Sequence, residues 1–174
     1  MWTASLRADD VSDTSSTAVP AAFAELYAQH HEAVFRAALR VTGNRSDAED
    51  ALQAVFLRIL ARGEHEHAAR HPPAYLRRAA VNAAVDLLRR RAAHGERAYD
   101  EATPEVAIER SPLLKEQLRR ALATLQNDDA TLFLLRHVEG LSIEELAGVF
   151  ELEKNNVTVR LHRIRLRLQT ELER

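Results

Sequence analysis

The sequence predicts an all-α protein of two small helical domains joined by a flexible linker, the second ending in a helix-turn-helix. Three observations carry this. Ala, Leu, Arg and Glu dominate while Gly and Pro occur five times each, a mix that loses little rotamer freedom in helices. Apolar residues recur at steps of three and four, and no long run of alternating β-branched residues suggests a sheet. Between about Ala93 and Ser111 that periodicity stops and acids and a proline appear, as at a boundary between domains.

The elements follow in order. A first helix is expected from about Ala21 to Val41, with Phe23, Leu26, Tyr27, Val34, Ala37, Ala38 and Val41 on its apolar stripe. Gly43 and Asn44 end it with turn chemistry. Ser46 and Glu49 have capping-box spacing, so a second helix should open there, bury Leu52, Val55, Phe56, Ile59 and Leu60, and close at Gly63. The polar stretch GEHEHAARHPP reads as a loop. A third helix starts near Pro73, buries Leu76, Ala80, Ala83 and Leu87, and ends in Arg89, Arg90 and Arg91, where cations suit a helix C-terminus. Asp86 on it reads as structural. After the linker, Ser111-Pro112 restarts helix, with Leu114, Leu118, Ala121, Leu122 and Leu125 inside. Asn127 or Asp128 should cap the next helix, with Leu132, Leu135 and Val138 inside, and Gly140 should stop it. A second capping box, Ser142 with Glu145, opens a short helix to Phe150, and the last runs from about Asn155 to Glu173. The count is three helices, a linker, then four.

Composition narrows the function classes. The absence of cysteine excludes disulfides and zinc-thiolate sites. No apolar run has bilayer length. The first 19 residues carry acids and no apolar core, so they read as a disordered polar tail rather than a secretory signal. No phosphate-binding glycine loop or nucleophile elbow appears, which argues against an enzyme. His65, His67 and His71 lie close together. Their segment is polar and broken by prolines, so a solvated loop outweighs a metal site there. The formal net charge is −2, but arginines cluster in two stretches, from Arg77 to Arg97 and from Arg160 to Arg167. Two basic patches suggest two polyanion surfaces; a pair of solvated helix faces is the alternative.

The segment from Leu141 to Leu168 has the form of a DNA-reading hairpin of helices. Ala147 is small where the two helices should cross, and Val157 and Leu161 should pack on Leu146 and Phe150. The opposite face of the second helix then presents Asn155, Asn156, Thr158, Val159, His162, Arg163 and Arg167, side chains suited to phosphates and base edges.

LSIEELA and VTVRLHR, at Leu141 to Ala147 and Val157 to Arg163, resemble the promoter-reading domain of extracytoplasmic-function (ECF) sigma factors of the sigma-70 family. The resemblance implies promoter contacts by Thr158, Val159, His162 and Arg163, with Asn155 and Asn156 beside them. It implies phosphate or packing roles for Arg160 and Arg167. The family's turn glycine is Glu151 here, costing about 1 kcal/mol if the backbone is left-handed, and its usual Gly-Thr is Asn155-Asn156. SDAEDALQAVFLRIL is similar to the family's polymerase-docking helix, which implies that role for Asp47, Asp50, Gln53, Phe56 and Leu57. Ala54 stands where an acid is often found. Phe56 reads equally as core. PPAYLRRAAVNAAVDLLRR is similar to the promoter-melting helix, which implies strand contacts by Tyr75, Arg77, Arg78, Asn82, Arg89 and Arg90. Tyr75 reads equally as core. The loop from Gly63 to His71 would take an extruded base.

The resemblance divides the chain into a tail (1–19), sigma region 2 (20–92), a linker (93–111) and sigma region 4 (112–174). It implies a cytoplasmic, nucleoid-associated chain without cofactor or small-molecule substrate. Its partners would be bacterial core RNA polymerase, promoter DNA and an anti-sigma factor, the last able to hold it at the inner face of the membrane. The rival function is a one-component helix-turn-helix regulator that binds dyad half-sites without polymerase. A purely helical adaptor is disfavoured by the arginines of the last helix.

Overall fold

The computed structural model describes residues 20–63, 72–94 and 112–173, and every described element is a helix. Three helices come first: α1 (Ala21–Thr42), α2 (Arg45–Arg62) and α3 (Pro72–His94). Four follow: α4 (Pro112–Thr124), α5 (Asn127–His137), α6 (Ile143–Phe150) and α7 (Lys154–Leu172). The expected order and number are met. The tail to residue 19, the histidine-bearing segment 64–71 and the linker beyond His94 lie outside the described residues.

Two helix starts differ from expectation. Gly43 closes α1 in a left-handed conformation (φ 75°) and donates its N–H to Leu39 O. The next residue, Asn44, is extended, and its side chain accepts the Asp47 N–H at 2.8 Å. Asn44 therefore caps α2 and leaves Ser46 inside the helix, while Glu49 pairs with Arg45 at 2.8 Å. Asparagine caps as well as serine does, and it reaches the extended position first. At α5 the cap is Gln126, with no side-chain hydrogen bond. Asn127 is already helical, and Asp128 and Asp129 lie in the first turn, where the helix dipole favours acids.

Helices α1, α2 and α3 pack around an alanine-rich core, in which Ala37, Ala38, Ala48, Ala51, Ala80 and Ala84 are fully buried with Val34 and Ile59. Small residues at each crossing let the helix axes approach closely. The second core is built of larger side chains: Leu132, Leu135, Leu141, Leu146, Val157 and Ile164.

The third helix buries more than the single stripe read from the sequence. Leu76, Ala80 and Ala83 are inside as expected and Leu87 is half-buried, but Val81, Ala84, Val85 and Leu88 are buried as well. The reason is that α3 is covered twice. It packs on α1 and α2 with one face and on α4, α5 and α6 with another. A helix apolar over more than one stripe is one enclosed on more than one side.

At its C-terminal end α3 is tied to the start of α2. Arg91 reaches Asp47 at 2.5 Å, and the Asp47 side chain is 4% exposed. Removing one partner of a buried pair strands the other's charge away from water. Arg91→Ala should therefore lower the unfolding free energy by about 3 kcal/mol. Glu49→Ala, which opens an exposed pair, should leave it nearly unchanged. Chemical denaturation of both variants checks the difference.

Candidate nucleic-acid interfaces

Helices α6 and α7 and the turn between them form the expected hairpin. Ser142 caps α6: its hydroxyl accepts the Glu145 N–H at 3.1 Å, and Glu145 Oε2 accepts the Ser142 N–H at 2.8 Å. This reciprocal box holds the Glu145 carboxyl below the ordinary glutamate range, first through the Ser142 N–H, then its hydroxyl, with the charge of Arg77 adding to it. Glu144 is lowered too, by a hydrogen bond from Lys154 and by that residue's charge. Lys154 opens α7, so this pair straps the starts of the two helices together.

The turn is made by Glu151 in the left-handed region, φ 54° and ψ 43°. Leu152 N–H donates to Ala147 O at 2.9 Å, closing the end of α6 in the manner of a Schellman motif. Leu146, Val157 and Leu161 are buried between the two helices. Phe150 is half-buried against the same core, with the Arg78 guanidinium 4.3 Å above its ring.

With that side of α7 fixed, the other is free. Asn155, Asn156, Thr158, Val159, His162, Arg163 and Arg167 are all exposed. The Thr158 hydroxyl turns back to Lys154 O at 3.0 Å. The Val159 methyls stand 40% exposed beside the polar positions, a pairing of chemistry that can meet a thymine methyl and neighbouring base edges. Arg160 differs from these. Its Nε donates to Asp129 Oδ1 at 2.6 Å, and Arg167 approaches the other carboxylate oxygen at 3.6 Å. Asp129 itself is buried. It thus clamps α7 to the first turn of α5. Sequence reasoning missed Asp129, because its partner lies 31 residues away; the only local signal was an acid in a first turn.

The α3 residues divide. Arg90 is exposed, Arg77 is half-buried, and Tyr75 is half-buried against the core. Arg78, Asn82 and Arg89 face the second domain. Arg78 donates to Val149 O at 2.6 Å and lies 3.8 Å from Asp128. Asn82 accepts the Thr131 hydroxyl at 2.5 Å. Arg89 donates to Leu125 O.

The α2 residues divide as well. Asp50, Gln53 and Leu57 share one exposed face with Ala54 between them, and Leu57 is 63% exposed. Phe56 points inward and meets Phe23 and Tyr27 edge-on, at ring distances of 6.0 and 4.8 Å. Asp47 is buried with Arg91. Among the described residues no cluster of acids and histidines could hold a metal ion, and no helix is long and apolar enough to cross a membrane.

An all-helical protein with a capped helix-turn-helix, an exposed polar face on α7 and a second basic helix has the form of a helical DNA-binding protein. The comparisons with known proteins make the class particular. Residues 26–94 match the Sigma-70 region 2 family, and residues 115–168 match Sigma-70 region 4. The RNA polymerase sigma factor CarQ of Myxococcus xanthus is 36% identical over 148 residues, covering 82% of this chain and 84% of that protein. The RNA polymerase sigma-E factor of Streptomyces avermitilis is 30% identical, over 87% of this chain and 85% of that one. The chain belongs to the ECF group of the sigma-70 family. A crystallised sigma factor RpoE from Bartonella quintana, in complex with the anti-sigma factor NepR, shares the fold. Its TM-score is 0.51 at 20% identity, over 87% of this chain and 96% of that one.

Two outcomes follow. Glu151→Gly relieves a left-handed non-glycine and should raise the unfolding free energy by about 1 kcal/mol, measured by denaturant midpoint. Depressed carboxyl pKa values contribute stability above the ordinary glutamate range, and that contribution is lost as the pH falls through the lowered values. Amide protection in α6, corrected for the intrinsic pH dependence of exchange, should therefore fall on acidification, and Glu145→Gln should flatten that response.

Proposed function

We propose that this sigma factor directs bacterial core RNA polymerase to a set of promoters through three surfaces. The exposed face of α7, centred on Val159, His162 and Arg163, reads the upstream element as duplex. The outer face of α2, with Asp50, Gln53 and Leu57, docks on the polymerase. Helix α3, through Tyr75, Arg77, Arg78, Asn82, Arg89 and Arg90, engages the strand freed when the promoter opens, since bases stack on aromatics and phosphates sit among arginines. The observation that carries this reading is the division of labour on α7: Val157, Leu161, Ile164 and Leu168 are buried while every candidate base-reading side chain is exposed.

On this reading residues 20–92 form region 2, 93–111 the linker and 112–174 region 4. The chain itself performs no covalent chemistry; it supplies specificity and binding energy to the polymerase. It works in the cytoplasm, at the nucleoid. An anti-sigma factor is a fitting partner, because the structural neighbour from Bartonella quintana was crystallised with one. Both sigma regions occurring in order favour this function over a one-component regulator.

Run-off transcription from a promoter library, with core polymerase and with or without the chain, tests the proposal. Chain-dependent start sites are expected, and their absence from every template would overturn it. His162→Ala and Arg163→Ala should each reduce discrimination at one upstream position by about 1–3 kcal/mol, or roughly fivefold to 150-fold. Arg90→Ala should leave that discrimination intact and slow strand opening, read by permanganate reactivity of unpaired thymines.

A further inference from the structure

Asp129 stands in the first turn of α5 with its side chain only 11% exposed, and it serves α7 twice. Arg160 Nε donates to its Oδ1 at 2.6 Å, and Arg167 Nη1 lies 3.6 Å from its Oδ2. The two arginines are two turns apart, on the flank between the exposed face and the buried stripe of Val157, Leu161, Ile164 and Leu168. They are held unequally: Arg160 is half-buried, whereas the Arg167 side chain is 63% exposed. The carboxylate is itself supported. Gln126 caps α5 with no side-chain hydrogen bond, so the positive end of that helix faces the acids of its first turn. Arg163, between the two arginines, makes no ion pair among the described residues.

We infer that Asp129 is a specificity-determining positioning residue that acts through Arg160: it fixes where α7 sits and withholds that arginine from phosphate. Every duplex offers the same phosphates, so an arginine free on this flank would add affinity to right and wrong sequences alike. An arginine given to a buried carboxylate can leave it only by stranding that charge. A helix anchored two turns apart also keeps its axial position and its roll. Contacts with base edges depend on both, because hydrogen bonds weaken steeply with misalignment. Binding is then decided by the base-facing side chains rather than by the flank. The inference rests on the assignment of α7 to the upstream duplex made above.

Asp129→Asn tests this in the full chain bound to core polymerase, on a promoter from the run-off library and on the same promoter with its upstream element scrambled. The substitution keeps the shape of the side chain and removes its charge. Binding to the scrambled duplex should strengthen, and the slope of log affinity against log salt should steepen by about one, as the released arginine meets a phosphate. Preference for the intact element should fall about tenfold. Damage to the fold would weaken binding to both duplexes alike, so this opposite movement separates positioning from folding. Asp129→Asn with Arg160→Gln removes both charges, strands neither and keeps the net charge. Its salt slope should return to the parental value, and most of the preference should recover. A parental preference in Asp129→Asn would overturn the inference, as would a parallel loss on both duplexes. So would a slope in the double variant about one below the parent, since Arg160 would then hold a phosphate in the natural chain. All these comparisons use start sites that the parent already makes. Absence of those sites sinks the sigma reading, whereas unchanged variants at them sink only the role of Asp129. A parent indifferent to the scrambling would remove the α7 assignment and this inference with it.

Discussion

A helix with apolar residues on two faces must be covered twice, and α3 is such a helix. Its burial of Leu76, Ala80, Val81, Ala84, Val85 and Leu88 is complete only because α1 and α2 lie on one side and α4, α5 and α6 on the other. Both domains are positioned by this one element. The same helix carries the arginines proposed for the opened strand. The demand for apolar cover and the demand for accessible cations therefore meet on neighbouring residues, such as Val81 and Asn82, or Leu88 and Arg89.

The first turn of α5 shows how α3 and α7 are related. Asp128 lies near Arg78 of α3, and Asp129 clamps Arg160 and Arg167 of α7. Neighbouring carboxylates thus address different surfaces, one exposed and one buried. Acids in that turn also oppose the partial positive charge of the helix start. Their local stabilisation and their long-range pairing act together.

Much of this was legible in the sequence. Stripes at helical spacing placed the seven described helices, because burial of one face is what most helices need. The Ser142–Glu145 box and the left-handed turn at Glu151 were readable, since both depend on residues close in the chain. The Ser46–Glu49 pattern misled for a local reason: Gly43 had already turned the chain, and Asn44 filled the cap. What escaped was non-local. Only one stripe of α3 was read, and its second face, with Val81, Ala84, Val85 and Leu88, is covered by helices far along the chain. For Arg160 a phosphate and a packing role were both open, and nothing near it in sequence revealed Asp129 as its partner. Asp47 shared a motif with Asp50, Gln53 and Leu57, yet it is buried against Arg91, a partner on another helix; Phe56, read both as core and as docking, lies in the core.

The two cores differ in grain, and that difference shapes how the chain can vary over generations. Where α1, α2 and α3 meet, Ala37, Ala38, Ala48, Ala51, Ala80 and Ala84 have no room to grow. Adding methylenes at such places typically costs about 1–3 kcal/mol, whereas their loss to glycine leaves little void. The C-terminal core of Leu132, Leu135, Leu141, Leu146 and Ile164 has the opposite sensitivity, because truncation there opens cavities. Drift toward larger residues is thus closed to the first domain and drift toward smaller ones to the second. Exposed positions such as Asn155, Asn156 and His162 are free of either constraint, so the face proposed to read promoters can change while both scaffolds stay fixed.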